Sequence, residues 1–113
     1  MLYFAATEPP MIADIELHRA ELGELCRRFH VRRLDLFGSA VSGENFDPAR
    51  SDLDFLVEFE PLQPGPYVDA YFGLKEDLEQ LFGRPVDLVS PASIRNRFFR
   101  ESVERTKALL YAA

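Results

Sequence analysis

Residues 52 to 59 read Asp-Leu-Asp-Phe-Leu-Val-Glu-Phe. Side chains of a strand alternate between its two faces, so this run puts Leu53 and Phe55 on one side and Asp52 and Asp54 on the other. The apolar side must be covered. The acidic side is unusual, because Asp is disfavoured in strands and is seldom buried without a partner. A chain built around such a strand needs a sheet with helices packed on the apolar face and a reason to tolerate carboxylates on the opposite face.

Pro and Gly cut the rest into short pieces of alternating type. Thr7 can cap a first helix, with Pro9 and Pro10 in its opening turn, where amide hydrogens have no partner anyway. Ile12, Ile15, Leu22, Leu25, Cys26 and Phe29 then recur at helical spacing; Cys26 lies on that stripe as a small buried hydrophobe. His18 and His30 have no partner His, Cys or Ser pattern and read as surface or hinge residues. Arg33 to Phe37 alternates as a half-buried strand and runs into Gly38-Ser39, where a short helix, Ser39 to Val41, can begin. A loop from Ser42 to Ser51 follows, rich in turn formers. After the strand 52–59, the group Pro61, Pro64, Gly65 and Pro66 ends it. A helix fits Tyr67 to Phe82, with Gly83 as its left-handed cap and Gly73 inside it, a place where the helix can bend. Pro85 to Val89 is a third strand, Arg97 to roughly Arg105 a last helix, and Ala108 to Tyr111 either the end of that helix or a short edge strand. This order predicts a single α/β (α+β) domain over residues 1–113, a small sheet with helices packed on it.

Composition narrows the function. The chain has 113 residues, the size of one compact domain. Lys plus Arg is 13 against 19 Asp plus Glu, a net charge of −6, which argues against direct DNA binding as the main task. The single Cys permits no internal disulfide, so the expected setting is a reducing cytoplasm. One Cys and two His cannot build a four-ligand zinc site. No apolar run is long enough to span a bilayer, and the N-terminus lacks the pattern of a signal peptide, so no membrane role is expected. Between Arg95 and Lys107 the chain carries a local charge of +3. That stripe is either a solvated face or one turned to an acidic partner or a triphosphate.

The chemistry rests on three strand carboxylates. Asp52 and Asp54 leave one face about 7 Å apart at their Cα positions. Asp87, in Val86-Asp87-Leu88-Val89, joins them if the third strand lies beside the second. Converging carboxylates repel unless a cation sits between them, and ligands that are all oxygen suit Mg²⁺ or Mn²⁺. Two such ions form a site for in-line displacement on phosphorus. The plainer alternative is that each Asp caps a loop or sits at a solvated strand end. Gly38 and Ser39 add a place where phosphate can approach the backbone at a helix start. No P-loop pattern is present.

The combination is Leu36-Phe37-Gly38-Ser39, twelve intervening residues, then Ser51-Asp52-Leu53-Asp54-Phe55-Leu56-Val57, with a later Val-Asp-Leu-Val strand. It resembles the DNA polymerase β nucleotidyltransferase superfamily, and within it the minimal nucleotidyltransferases. The segment from Arg97 to Tyr111 is similar to that family as well. The resemblance implies a nucleotidyltransferase fold, a small mixed sheet packed with helices, in which Gly38 and Ser39 bind ATP or another nucleoside triphosphate. It implies that Asp52 and Asp54 hold two Mg²⁺ ions and that Asp87 completes the ion activating the acceptor. Members often carry Arg just after the Gly-Ser pair. Here the run is Ala40-Val41-Ser42-Gly43, and Arg50 is the candidate to contact phosphate instead. Many members are antitoxins that transfer AMP to a Tyr hydroxyl of an all-helical HEPN toxin, which implies a hetero-oligomer. A nucleotidyltransferase-like module that neutralises its partner by binding alone is the competing reading.

Overall fold

A computed structural model of the chain describes residues 12–42 and 52–113. The Thr7 cap, Pro9 and Pro10, the loop from Gly43 to Ser51 and Arg50 lie outside the described residues. Helices α1 (Ile12–Leu17) and α2 (Arg19–Arg28) lead into strand β1 (Val31–Phe37) and the short helix α3 (Ser39–Ser42). Then come β2 (Leu53–Phe59), α4 (Pro64–Phe82), β3 (Val86–Val89), a 3₁₀ turn (Pro91–Ser93), α5 (Arg97–Thr106) and β4 (Ala108–Ala112).

The four strands form one sheet in the order β3-β2-β1-β4. β1 runs antiparallel to β2 and to β4, whereas β2 and β3 are parallel. A parallel neighbour requires a crossover, and α4 supplies it. The sheet is therefore mixed, as the resemblance implies. Ala108–Ala112 resolves the open alternative at the C-terminal end: it is an edge strand.

One face of the sheet carries the main core. Leu34, Leu36, Leu53, Phe55, Val57, Val86 and Leu88 meet Ile15, Leu22, Leu25 and Cys26 from the first two helices, and Leu74 and Leu78 from α4. Burial of this kind contributes on the order of 25 cal/mol for each Å² of apolar surface removed from water. Cys26 is fully buried there and its thiol is pushed up to about 12 by that burial, so it serves as a packing residue. The other face has a smaller cluster of Phe37, Leu56, Ile94 and Val103, covered by the 3₁₀ turn and α5. β1 is thus buried on both faces from Leu34 to Phe37, not half-buried as its alternation suggests.

Three local features depart from the sequence pattern. The first helix is two, broken at His18 (φ −108°, ψ 18°). At the break the His18 ring stands edge-on to Phe82, 5.7 Å between centroids, while Leu17 is left exposed. His30 is the other hinge, with φ 60°, a left-handed conformation in which His is enriched. α4 starts at Pro64, not at Tyr67. Proline at the first helical position loses only an amide that would be unpaired, so the proline group that ends β2 also opens the helix. Gly73 sits within this single helix, and a Cβ there would come within 2.5 Å of the Phe29 ring, so the glycine serves close packing. Gly83 caps the helix at φ 66°, its amide bonding the Glu79 carbonyl.

Candidate active site

The ends of β1 and β2 bring the two halves of the Gly-Ser and Asp-Leu-Asp pattern together. Phe37, the last residue of β1, is directly opposite Asp54 on β2. The chain then turns at Gly38 with φ 79°, a region open to glycine and costly for other residues. A Cβ on Gly38 would lie 2.7 Å from Asp54 Oδ2. Glycine is therefore needed here twice: for the turn, and because the Asp54 carboxylate occupies the space a side chain would fill. Ser39 opens α3 directly after the turn, and Val41 N–H donates to the Gly38 carbonyl at 3.0 Å.

The parallel pairing of β2 with β3 places Asp54 in register with Asp87. Both therefore leave the sheet on the same face, opposite the main core, as expected from Leu53, Phe55, Val86 and Leu88 being buried on the other side. Asp87 is exposed, and Asp52 is exposed immediately before β2. Asp54 is half-buried. Its pKa is raised to about 6, first by burial, then by the charge of Asp87, then by that of Asp52. All three influences act in one direction, so ionised Asp54 is held in a place that opposes its charge.

That arrangement fits a divalent cation by the chemistry of its donors: oxygen alone, on groups that a positive charge would relieve. Among the described residues, no three Asp, Glu, His or Cys side chains are grouped closely enough to hold a metal ion by themselves.

The N-terminal end of α5 borders the same corner. Asn96 caps it by accepting from Phe99 N–H at 3.0 Å, and the Phe99 ring meets Phe37 edge-on at 5.9 Å. Of the cationic stripe, Lys107 pairs with Glu104 at 2.9 Å, the Arg100 guanidinium donates to the Ile94 carbonyl, and Arg97 lies over the Phe98 ring at 5.4 Å. These contacts make much of the stripe a local fixture of α5. A surface cavity of about 490 Å³ between α2 and α4, lined by Glu21, Glu24, Arg28 and Asp77 among others, lies over the face away from Asp54 and belongs to a different region.

A fourth strand carboxylate, Asp35, has no counterpart among the expected site residues. It is fully buried on β1, and Arg33 holds it with two hydrogen bonds, Nε to Oδ1 at 2.9 Å and Nη2 to Oδ2 at 3.3 Å. The local sequence carries half of this signal, an Arg two residues before the Asp on the same face, but not the burial.

A fold of this topology with an acidic pair beside a Gly-Ser turn defines a nucleotidyltransferase. The nucleotidyltransferase-domain family model matches residues 19–110, and the chain belongs to that family. It is 42% identical over 79 residues to the protein adenylyltransferase MntA of Thermococcus cleftensis, covering 70% of this chain and 72% of that one. Among solved structures, one whose assignment as a minimal nucleotidyltransferase is itself provisional superposes with a TM-score of 0.66 at 34% identity, over 85% of this chain and 92% of that one. A toxin–antitoxin complex with AMP-PNP (TM-score 0.60, 22% identity, 84% of this chain and 73% of that one) shares the fold. So does a chain from the complex of tri-AMPylated Shewanella oneidensis HEPN toxin with MNT antitoxin (TM-score 0.58, 20% identity, 88% and 73%). Among the described residues no helix is long and apolar enough to cross a membrane.

Proposed function

We propose that this chain is a Mg²⁺-dependent protein adenylyltransferase that transfers AMP from ATP to a tyrosine hydroxyl of a HEPN-type toxin, in the cytoplasm, and silences it as its antitoxin. The observation that carries this reading is Asp54: half-buried, beside the Gly38 turn, in register with Asp87 and raised to about 6 with like charges around it. A carboxylate so placed costs the metal-free fold stability, and a divalent cation would relieve that cost.

The residues divide the work. Gly38 keeps the turn tight against Asp54, and the Ser39 hydroxyl and the backbone beyond it bind the phosphates. Asp52 and Asp54 would hold two ions, Asp87 would share the one nearest the acceptor, and Arg50 would contact the triphosphate. Mg²⁺ in this position would neutralise the phosphate oxygens and lower the pKa of the acceptor hydroxyl. The acceptor oxygen forms a bond to the α-phosphorus, and the bond from that phosphorus to the bridging oxygen breaks. Pyrophosphate leaves with the electron pair, and the hydroxyl proton passes to solvent. The relatives named protein adenylyltransferases and the HEPN complexes sharing the fold support both the reaction and the hetero-oligomer.

Intact-mass spectrometry tests this. Wild-type protein with ATP, Mg²⁺ and the partner should add AMP to the partner, and the Asp54→Asn variant should add none. Neutralisation of the partner without any change in its mass would replace the enzyme with a binding module.

A further inference from the structure

β3 carries Asp87 and is an edge strand, last in the order β3-β2-β1-β4. Its outer side faces no strand, so its outward backbone groups need other partners or remain open to slippage. In a parallel pair, successive residues turn their backbone groups to alternate sides. Leu53 N–H donates to the Pro85 carbonyl at 3.0 Å on the inner side, which leaves Val86 and Leu88 facing outward. Both outward residues are bonded, and both partners come from α4. Val86 N–H donates to Glu79 Oε2 at 3.0 Å, and the Tyr71 hydroxyl donates to the Leu88 carbonyl at 2.9 Å. Lys75 Nζ holds the same Glu79 oxygen at 3.0 Å, one helical turn away. The two bonds fall on the residues immediately before and after Asp87.

We propose that Tyr71 and Glu79, the latter braced by Lys75, are positioning residues that clamp β3 on both sides of Asp87 and keep its carboxylate in register with Asp54. They act through the strand and not on the substrate, which separates them from the site residues above. Two further observations agree. The Val86 amide is the first cause of the lowered pKa of Glu79, ahead of its bond from Lys75. Burial, followed by the charge of Asp87, raises the Tyr71 hydroxyl, so it stays protonated and able to donate. The inference builds on the transfer reaction proposed above, so its test has one arm that does not depend on that reaction.

That arm is amide hydrogen exchange of the free protein. Val86 N–H should be protected in wild type and in Glu79→Gln, which keeps an acceptor oxygen, and should lose protection in Glu79→Ala. The second arm is AMP transfer. Tyr71→Phe and Glu79→Ala should each slow turnover by about 10- to 100-fold, the range seen when outer partners of a site are removed. The KM for ATP should stay unchanged, because Gly38, Ser39, Asp52 and Asp54 are untouched, and Glu79→Gln should recover most of the rate. Exchange at Val86 that is equally fast in wild type and Glu79→Ala overturns the clamp. Wild-type turnover in both Tyr71→Phe and Glu79→Ala overturns its role in positioning. If the wild-type protein itself transfers nothing, the transfer reading falls, and exchange at Val86 alone decides whether the clamp exists.

Discussion

Asp35 and Asp54 lie on neighbouring strands and leave the sheet on the same face, yet their surroundings are opposite. Asp35 is buried to 1% side-chain exposure and has a guanidinium on both carboxylate oxygens. Asp54 is less buried, is paired across the strands with Asp87, and also faces the charge of Asp52. One carboxylate brings its cation with it from two residues away. The other is surrounded by like charge. The difference separates structure from function: a strand carboxylate paired inside the chain completes the fold, and one opposed by its neighbours waits for a cation from outside.

Asp54→Asn should give the largest effect. Transfer should fall at least about a hundredfold, since an ion-binding charge is lost at the reacting centre; a partner-labelling assay reads it. The same variant carries a sign that can be worked out. The folded-state pKa of about 6 exceeds the ordinary value of 3.8, so the folded chain holds a proton that the unfolded chain has already lost. The associated stability is present at low pH and is lost as pH rises through about 6. Without metal, Asp54→Asn should therefore melt above wild type at pH 7, and the gap should close between pH 6 and pH 4. A melting point below wild type at pH 7 would break the contrast with Asp35.

Arg33→Ala should act on stability and not on chemistry. It strands the buried Asp35 carboxylate without its partner, which destabilises the fold, by less than for a fully buried pair because Arg33 is 45% exposed to water. Denaturant unfolding measures the loss, and transfer per folded molecule should stay at the wild-type level. Equal losses of stability in Arg33→Ala and Asp54→Asn would show that the two carboxylates do the same work.

The positions of these residues were legible to different degrees. Alternation in 52–59 assigns Leu53 and Phe55 to the core and Asp54 to the opposite face, because period two is a local property of the strand. Val86 and Leu88 assign Asp87 in the same way, provided β3 lies beside β2, which the parallel pairing supplies. The Gly38 turn was legible as a phosphate approach, but its contact with Asp54 is tertiary and invisible in the pattern. Asp35 was missed for a related reason. Its surroundings include Leu56, Pro91, Glu104 and Lys107, which come together only in the folded chain, so the Arg33-Leu34-Asp35-Leu36 run alone does not reveal full burial. The break at His18 depends in the same way on Phe82. Tyr71 and Glu79 looked like ordinary helix residues, because an edge strand's need for partners appears only once the strand order is known.

Gly38→Ala sharpens the comparison further. The left-handed φ costs a Cβ-bearing residue about 1–2 kcal/mol, and the new methyl must displace the Asp54 carboxylate. Chemical denaturation should show a loss of that order, together with weaker ATP binding by calorimetry. A variant that keeps full stability and full affinity would make the turn a mere end of β1. The smallest shift belongs to Asp87→Asn without metal. Burial is the first cause of the raised pKa of Asp54 and Asp87 only the second, so removing the Asp87 charge should lower that pKa part of the way. The gain in melting temperature at pH 7 should be smaller than that of Asp54→Asn.

The most direct test of the account is the titration of Asp54 itself, followed through its side-chain carboxyl carbon by NMR with and without Mg²⁺ and a non-hydrolysable ATP analogue. The midpoint should lie near 6 in the free protein. With the ion and nucleotide it should fall below the ordinary carboxylate value of about 4, because an opposite charge then faces the group. An ordinary midpoint in the free protein, unmoved by Mg²⁺ and nucleotide, would contradict the account.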